Sequence, residues 1–460
     1  MATGPWTIDA GTLALTDDGS LASHASVTLN ANLDISGITN STTMQNLSGP
    51  ANSTINLGSK TLALKNTTTQ TFAGVASGAG GNIELDQGTV IFTGDNTYTG
   101  TSTIAAGATL QLGTGGTIGS IASDAAVNGQ LIFNRSDSFT YDKVISGTGS
   151  IQKLGAGILT LSGNSDTYTG STSVDVGGLF VSGTLGGMVA VKGGTSLAGT
   201  GTIVGDTTIA DGATLIGQQN HTLTFQNNLE LVSGSIVNVT LGKAPNAPGL
   251  FNVLGDLTLN GTLNIQDMGD FGPGLYRLFD FGGTRSGNLT LGSVPTGTDP
   301  SLLQLITTTP NQYNLFFGGQ PGFNIWDGGN SADHDNGAVD GGDGVWDAAN
   351  NNWTKLSGAD NGSWVNGALA QFGVKAGTVT ISDNPITIQA SGLVFSTDGY
   401  LLTGSSIILD DPVDGIPTVR VGDGSRAGAA MSATIESEIK GNQGLKKVDF
   451  GTLVLTGTNS

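Results

Sequence analysis

The sequence contains no cysteine, few charged residues and few segments that favour a helix, and each shortage excludes a class of protein. The absence of cysteine excludes disulfides and thiolate metal sites. Only 11% of the 460 residues are charged, against roughly 25% in an ordinary globular chain. We find no extended amphipathic i, i+3, i+4, i+7 pattern, so we expect little or no helix. No apolar run reaches the length that spans a membrane.

The net charge of −20, from 36 acidic and 16 basic residues, limits the possible partners. Nucleic-acid binding needs clustered Lys and Arg side chains that neutralise phosphates, and the sequence has no basic run. We therefore expect no nucleic-acid partner, and an anionic membrane surface would repel this chain as well. The first residues, MATGPWTIDAG, lack the basic and apolar segments of a secretory signal. We expect the signal of an exported protein to lie upstream of them.

Glycine is abundant, with 75 residues, and it marks an internal repeat. The repeat runs from Ser146 to Val181 and reads SGTGSIQKLGAGILTLSGNSDTYTGSTSVDVGGLFV. In a later copy, its Gly147, Ile151, Lys153, Gly157, Leu159, Leu161 and Gly163 become Gly441, Leu445, Lys447, Gly451, Leu453, Leu455 and Gly457. In an earlier copy, its Gly147, Gly149, Gly157, Leu159, Leu161 and Gly163 become Gly78, Gly80, Gly88, Val90, Phe92 and Gly94. The TYTG at Thr167–Gly170 recurs at Thr97–Gly100, one residue out of step.

Apolar side chains occupy alternate positions within each copy. Leu159 and Leu161, for example, flank Thr160, and this period of two predicts a strand. Glycines bracket each strand and permit sharp corners. One short strand has too little apolar surface to be stable alone, whereas stacked copies bury a continuous column of Leu, Ile and Val. The pattern therefore predicts an all-β solenoid, most simply a parallel β-helix with loop excursions.

The repeat motif GxGxIxKxGxGxLxLxG, followed by TYTG and another Gly-bounded strand, resembles the passenger-associated repeat of bacterial autotransporters, the single-chain type V secretion proteins. Segments at Gly274–Ser301, Trp326–Gly329, Asp340–Asp347 and Val419–Ile435 are also similar to such passengers. The resemblance implies a right-handed parallel β-helix displayed at the surface of a Gram-negative cell. It implies a role in adhesion, aggregation or biofilm growth, and in virulence, with a host cell-surface or extracellular-matrix partner or self-association. It also implies a signal peptide and a C-terminal outer-membrane β-barrel translocator, which are not recognisable in this sequence.

The pattern divides the chain into five segments. Residues 1–76 carry degenerate coils, residues 77–242 carry the clear repeats, and residues 243–320 carry coils with longer, proline-interrupted loops. Residues 321–372 are rich in Trp and Asp, and we expect a loop or insertion there. Residues 373–460 return to coils. Because the sequence stops where its next TYTG would begin, we expect it to be a fragment of a longer protein.

The segment 321–372 contains four of the five tryptophans, Trp326, Trp346, Trp353 and Trp364. Their large aromatic faces make them candidate partner-binding residues, because indole rings stack on sugars and carry much of the energy of protein interfaces. The alternative is that they form the small core of the segment, which is the usual state of tryptophan. Residue spacing does not decide between the two interpretations.

Aspartates of the same segment are the best candidates for a calcium site, since Ca²⁺ prefers several carboxylate and carbonyl oxygens from one turn. Asp333–Gly337 begins like a calcium loop but lacks the later acidic positions and the closing Glu. Gly341–Gly344 begins like a nonapeptide calcium repeat, but its aspartate position holds Trp346. Turns closed by Asp and Asn side chains explain the same residues. We therefore assign no metal ligand and no cofactor.

An enzyme built on a β-helix is the rival interpretation. The segment Gly194–Ala198 is similar to the serine segment of subtilisin-like proteases, with Ser196 as the nucleophile, but Gly199 replaces the expected proline. The three histidines, His24, His221 and His334, do not lie in the Gly-Thr-His motif of such enzymes. A catalytic triad is therefore not predicted.

A polysaccharide lyase would need a basic catalyst beside clustered acids, and Arg420 near Asp423 is the nearest match. A structural arginine explains this pair equally well. Lys153 and Lys447 occupy the same repeat position, and we expect them to cap a corner. The sequence thus predicts a surface-displayed structural and adhesive segment without an active site, and a non-binding spacer for a distant functional head is a further alternative.

Overall fold

Short strands joined by tight corners make up nearly all of the computed structural model, which describes residues 4–21, 26–244, 248–272, 274–307, 310–317, 324–355, 358–410, 416–423 and 427–460. Two short 3₁₀ helices, Pro300–Leu302 and Ala427–Ala430, are the helical elements of these ranges. Within the described ranges no helix is long and apolar enough to span a membrane. The prediction of an all-β solenoid is confirmed.

The strands of the first part of the chain are mostly three to six residues long. In chain order they are β1 (Trp6–Ile8), β2 (Thr12–Asp17), β3 (Ser26–Leu29), β4 (Asn32–Ile38), β5 (Thr42–Ser48), β6 (Thr54–Asn56), β7 (Thr61–Lys65), β8 (Gln70–Phe72), β9 (Val75–Ser77), β10 (Asn82–Gln87), β11 (Thr89–Phe92), β12 (Thr101–Ile104), β13 (Thr109–Leu112), β14 (Asp124–Val127), β15 (Gln130–Phe133), β16 (Phe139–Tyr141), β17 (Ile145–Ser146), β18 (Ser150–Lys153), β19 (Ile158–Leu161), β20 (Asn164–Ser165), β21 (Ser171–Val174), β22 (Gly178–Val181), β23 (Thr184–Leu185), β24 (Met188–Val191), β25 (Ser196–Gly199), β26 (Thr202–Ile203), β27 (Thr207–Ile209), β28 (Thr214–Gln218), β29 (Leu223–Phe225), β30 (Leu229–Leu231), β31 (Ile236–Leu241), β32 (Phe251–Val253), β33 (Leu257–Leu259), β34 (Thr262–Asp267), β35 (Gly274–Phe281), β36 (Arg285–Gly287) and β37 (Thr290–Leu291).

The remaining strands follow the first 3₁₀ helix. They are β38 (Leu303–Ile306), β39 (Gln312–Phe317), β40 (Ile325–Trp326), β41 (Gly344–Trp346), β42 (Trp353–Thr354), β43 (Asn361–Gly362), β44 (Leu369–Phe372), β45 (Thr378–Ile381), β46 (Ile388–Ala390), β47 (Gly392–Phe395), β48 (Tyr400–Gly404), β49 (Ile407–Leu409), β50 (Thr418–Val421), β51 (Ser432–Ile435), β52 (Ile439–Lys440), β53 (Lys446–Val448) and β54 (Thr452–Leu455).

The chain divides into two compact units. The first comprises Met1–Val239, Phe251–Asn264 and Phe281–Gly292, and the second comprises Thr240–Leu250, Ile265–Asp280 and Ser293–Ser460. In the first unit, an eleven-stranded parallel sheet has the order β36-β33-β30-β27-β24-β21-β18-β15-β13-β11-β8. Its strands come from successive coils, and hydrogen-bonded residues in neighbouring coils are commonly 20, 21 or 22 residues apart. Other parallel sheets cover the remaining faces of the coils.

Apolar residues at equivalent positions of neighbouring coils form the core of the first unit. Leu110 pairs in register with Leu131, Leu131 with Ile151, and Val174 with Val191. All of these side chains are buried, so each covers the apolar face of the coil before it. Burial of apolar surface contributes about 25 cal/mol per Å², which makes the stacking of coils the source of stability that no single strand has.

The glycines of the repeat form a column in which successive backbones approach closely. Gly129, Gly149, Gly170, Gly187 and Gly205 follow one another along this column. A Cβ atom on any of the last four would clash with the carbonyl oxygen of the glycine before it. Glycine is therefore required at these corners because the neighbouring coil occupies the space of a side chain.

The tyrosines of the two TYTG motifs fill corners of the coils from inside, and Tyr168 does so beside Gly170 of this column. Tyr98 and Tyr168 are fully buried. The Tyr168 hydroxyl lies 2.9 Å from the carbonyl oxygen of Gly149 and 2.8 Å from that of Ser171, while the Tyr98 hydroxyl lies 2.6 Å from Ser102 Oγ. Each tyrosine ring thus fills a corner, and its buried hydroxyl is hydrogen-bonded.

The second unit contains antiparallel strands as well as parallel coils. β35 and β38 both pair antiparallel with β39. All six side chains of β39 are buried, because the strand is covered on both faces and so lacks alternation. The segment around Gly274–Phe281, for which we expect coils with longer loops, thus includes antiparallel pairing. Parallel coils resume at β44, where Phe372 pairs in register with Phe395.

Candidate functional site in the tryptophan-rich segment

The segment with four tryptophans supplies strands to the sheets of the second unit. The seven-stranded sheet has the order β43-β42-β40-β44-β47-β50-β53. β40 pairs antiparallel with β42, and β42 pairs antiparallel with β43, whereas β40 pairs parallel with β44. β41 pairs parallel with β45 in a second sheet. The segment therefore supplies strands to both sheets, and longer connections join these strands.

The four indole rings pack on one another inside the second unit. Trp326, Trp346 and Trp353 have no exposed surface, and Trp364 is 3% exposed. The ring centroids of Trp353 and Trp364 are 4.5 Å apart, and those of Trp346 and Trp353 are 4.9 Å apart. Most of these ring pairs meet edge to face, which is a favourable geometry for aromatic rings. The rings form a core, and none presents a free face to a partner in this conformation.

The indole cluster rests on the aromatic residues of the coils that follow. The Phe372 ring lies 5.6 Å from the Trp346 ring and 5.6 Å from the Trp353 ring. Phe372 then stacks on Phe395 at 5.0 Å, and Tyr400 lies 5.4 Å from Phe372. The cluster and the inner face of the parallel coils thus share one hydrophobic core.

The indole N–H groups differ in their environment. Trp326 Nε1 donates to the carbonyl oxygen of Gly342 at 2.8 Å, and Trp364 Nε1 donates to Asn366 Oδ1 at 3.0 Å. The buried Nε1 atoms of Trp346 and Trp353 have no hydrogen-bond acceptor among the described residues. Aromatic rings pack around these two indoles. An aromatic face is only a weak hydrogen-bond acceptor for an N–H group.

Aspartate side chains of the segment accept hydrogen bonds from its own backbone and amides. The buried Asp327 accepts from the backbone N–H of Asp340 and from Asn361 Nδ2, both at 2.7 Å. Asn361 and Asp335 bond each other twice, at 2.6 and 2.9 Å. Asp347 accepts from the backbone N–H groups of Ala349 and Asn350. These contacts fold the Asp-rich connections back onto the tryptophan core.

In the two segments that begin like calcium loops, Asp333–Gly337 and Gly341–Gly344, carboxylate oxygens also accept hydrogen bonds from the protein itself. Asp333 Oδ2 accepts from Asn330 Nδ2 at 2.7 Å, and Asp343 Oδ1 accepts from the Thr378 backbone N–H at 2.6 Å. Among the described residues, no group of three or more His, Asp or Glu side chains is arranged to hold a metal ion. The Asn330–Asp333 contact lies within a turn, whereas the Asp343–Thr378 contact joins residues that are 35 positions apart.

The residues considered for catalysis lie in ordinary structural positions. Ser196 is half-buried in β25 and pairs in register with Gly178 and Thr214 of the neighbouring coils. Arg420 Nε lies 2.8 Å from Asp449 Oδ2, and both side chains are almost buried. This ion pair is a structural contact of Arg420. His24 lies outside the described residues.

The two lysines of the repeat both bond the corner that follows them. Lys153 is buried and its Nζ donates to the carbonyl oxygens of Gly155 and Val176. Lys447 is exposed, and its Nζ donates to the carbonyl oxygen of Asp449 at 2.7 Å. Burial lowers the pKa of Lys153 to about 8, because a low dielectric disfavours the charged form. The expectation that these lysines cap a corner is met by their hydrogen bonds.

Arg135 is a structural residue that the repeat pattern did not single out. It is almost buried, its Nε and Nη2 bond the two carboxylate oxygens of Asp137 at 3.0 and 2.9 Å, and Nη1 lies 3.4 Å from Asp95. Its guanidinium also lies 4.5 Å from the centre of the Phe139 ring. The Arg-x-Asp spacing is the sequence signal for the pair with Asp137. The contact with Asp95 joins corners that are 40 residues apart.

Two comparisons with known proteins match the parts of the chain that form coils. The family model described as passenger-associated-transport-repeat matches residues 85–112 and 151–179, which include β11 to β13, β19 to β21 and parts of β18 and β22. The chain is 43% identical over 424 residues to the adhesin BmaC autotransporter of Brucella suis biovar 1 (strain 1330). The alignment covers 87% of this chain and 12% of that protein.

The fold and the matched repeats define a parallel β-solenoid of the kind that carries passenger-associated repeats. The identity over most of the chain then supports a passenger domain of an autotransporter adhesin. The resemblance found in the repeat motif is confirmed. Because the chain spans about 12% of the length of this relative, the activity and partners of the whole protein are matters for proposal.

Proposed function

We propose that this chain is a structural and adhesive segment of a surface-displayed autotransporter passenger. The observation that carries the proposal is the 43% identity over 424 residues to a protein named as an adhesin. The coils themselves suit a display role, because side chains such as Thr109, Gln130 and Ser150 stand in register on the outer face of one continuous sheet. The partner is a host cell-surface or extracellular-matrix component, and self-association is the other form of attachment.

The outer surface of the tryptophan-rich segment is the proposed contact region. Its connections between β40 and β41 expose Asn330, Ser331 and Asp335, and internal hydrogen bonds from Asp327 and Asn361 hold these connections in place. A surface that is already ordered loses little conformational entropy on binding. The four tryptophans serve binding indirectly, by holding this surface, because their rings are buried.

Replacement of the exposed Ser331 by Arg tests this contact region. Beads that carry the full chain would be applied to host-cell monolayers and to matrix-coated surfaces, and we expect Ser331→Arg to lower the number of bound beads several-fold. The matched control is Ser59→Arg, another exposed serine in a different unit, which should bind like the unsubstituted chain. Equal binding of all three proteins would contradict the contact region. If the unsubstituted chain does not bind at all, the non-binding spacer is the better interpretation.

The proposed role involves no active site in this chain. The name of the relative supports a non-enzymatic role, and Ser196 and Arg420 both have structural contacts. Location at the cell surface, supported by the same relative, is part of this proposal, and we extend the proposal to an anchor in the outer membrane. A hydrolytic or lyase activity that is lost on Ser196→Ala or Arg420→Lys, with unchanged folding, would contradict this part of the proposal.

A further inference from the structure

Residues 324–460 pair their strands only with one another in the described structure. The three sheets that contain β40 to β54 have the orders β43-β42-β40-β44-β47-β50-β53, β41-β45-β48-β51-β54 and β46-β49-β52. Among the strands of the described ranges, none that precedes residue 324 belongs to any of these three sheets. The backbone hydrogen bonds of these sheets are therefore satisfied within one continuous piece of the chain.

The same piece of the chain also has its own hydrophobic core. Among the described residues, the buried cluster around the tryptophans contains 22 residues, the first of them Trp326 and the last Ile439. A separate small cluster is formed by Leu275, Ile306 and Phe316, and the partly buried Leu369 packs against it. Stability in a solenoid comes from contacts between neighbouring coils, so a core drawn from one continuous segment has the contacts it needs to form by itself.

The tryptophan-rich strands close one end of this core. A stack of parallel coils leaves an apolar inner face and unpaired strand edges at each end, and solenoids need a capping element there. In the seven-stranded sheet, β40 lies between the first parallel coil strand, β44, and the antiparallel strands β42 and β43. Three of the four indole rings, those of Trp326, Trp346 and Trp353, pack against Phe372, the aromatic residue of that first coil strand.

We infer that residues 324–460 form a self-capped folding unit, in which the tryptophan-rich strands are an internal cap that starts a second stack of coils. The cap allows this piece of the chain to unfold and refold in its own transition. This inference concerns folding and does not depend on the proposed adhesive role. The self-capped unit also contacts earlier residues, for example where Gln312 Nε2 donates to the carbonyl oxygen of Asp423. These contacts add no strand to the three sheets of the unit.

The tryptophans provide an intrinsic fluorescence probe for the unfolding of this unit. Four of the five tryptophans lie in the self-capped unit, and the fifth, Trp6, lies in the first unit. Thermal unfolding of the full chain would be followed by tryptophan fluorescence, which reports mainly the self-capped unit, and by far-UV circular dichroism, which reports every strand. We expect the fluorescence midpoint to match only one step of the circular dichroism curve.

Two matched substitutions identify that step. Leu402 and Leu197 are both fully buried strand residues, in the self-capped unit and in the first unit respectively. We expect Leu402→Ala to lower the fluorescence midpoint by about 10 °C and Leu197→Ala to leave it unchanged while shifting the other step. Equal shifts of the fluorescence midpoint by both variants would overturn the inference.

A second measurement covers the case in which a variant does not fold completely. Hydrogen exchange in the full chain would show protection strand by strand. We expect Leu402→Ala to increase exchange across β44 to β54 while the strands β11 to β27 stay protected, and Leu197→Ala to have the opposite effect. Loss of protection throughout the chain in either variant would contradict a separate folding unit.

Discussion

Substitution of Gly157 by Ala tests the close packing of successive corners. A Cβ atom on Gly157 would meet the backbone carbonyl of Asp137 in the preceding coil well inside 3.0 Å, a separation that real Cβ atoms essentially never show. The φ angle of Gly157 lies outside the left-handed region, so backbone strain does not contribute to the effect. The cost of the substitution is therefore the cost of pushing two coils apart.

The expected loss of unfolding free energy follows from the backbone shift that the added methyl group requires. The two backbones would have to separate by roughly 1 Å, and overpacking of this kind costs about 1–3 kcal/mol. The shift also stretches the hydrogen bonds from Gly157 N to Arg135 O and from Gly178 N to Gly157 O, now 3.2 and 3.3 Å long, which contribute roughly 1 kcal/mol each. We expect Gly157→Ala to lower the free energy of unfolding by about 3 kcal/mol.

The control is Gly116→Ala in the same unit. A Cβ atom on Gly116 would have no atom within 4 Å, and its φ angle is also outside the left-handed region. We expect a change of less than about 0.5 kcal/mol there. Denaturant unfolding followed by circular dichroism, with hydrogen exchange of β19 and β22, measures both effects. If Gly157→Ala were as mild as Gly116→Ala, the explanation of the glycine columns by close approach would be refuted.

Three further substitutions test other contacts. Because burial lowers the pKa of Lys153 to about 8 from 10.5, the unfolded chain binds more protons between these values, and stability should rise as pH increases from 8 to 10.5. Lys153→Met should lack this rise, and parallel melting curves of the two proteins against pH would contradict it. Trp353→Ala should cost about 3–5 kcal/mol in the fluorescence-detected transition, whereas a loss below 1 kcal/mol would show a core that does not depend on the indole cluster. Asp327→Ala leaves the Asp340 N–H and Asn361 amide without their acceptor and should cost about 2 kcal/mol in urea unfolding; no change would mean that water replaces the carboxylate.

The repeat motif predicted strands well but did not predict their faces. Thr89–Phe92 and Ile158–Leu161 occupy the same position in two copies, and both are strands. They nevertheless lie in different sheets, β11 beside β13 and β19 beside β22. The number of corner residues between strands varies from coil to coil, so a sequence match does not determine where around the coil a strand falls.

The tryptophan-rich segment shows a different limit of sequence reasoning. Its composition indicated tight packing, and the burial of Trp346 and Trp353 agrees with the core interpretation. The antiparallel pairing of β40, β42 and β43 had no signal in the sequence, because two-residue strands carry no measurable alternation. The roles of the Asp327 and Asp347 oxygens could be assigned only once their donors were located: Asp347 closes a local turn, whereas Asp327 accepts from Asp340, 13 residues away.

The register of the stacked coils is the central claim, and engineered cysteines test it most directly because the chain has no cysteine of its own. Gln130 pairs in register with Ser150, and Thr109 pairs with Gln130. Register partners in neighbouring coils lie about 4.8 Å apart, within disulfide reach, whereas Thr109 and Ser150 are two coils apart, at about 9.6 Å, beyond the roughly 7 Å limit. We predict that Gln130→Cys with Ser150→Cys forms a disulfide on mild oxidation and that Thr109→Cys with Ser150→Cys does not. Efficient bridging of the second pair, or failure of the first in the folded protein, would contradict the stacked-coil structure.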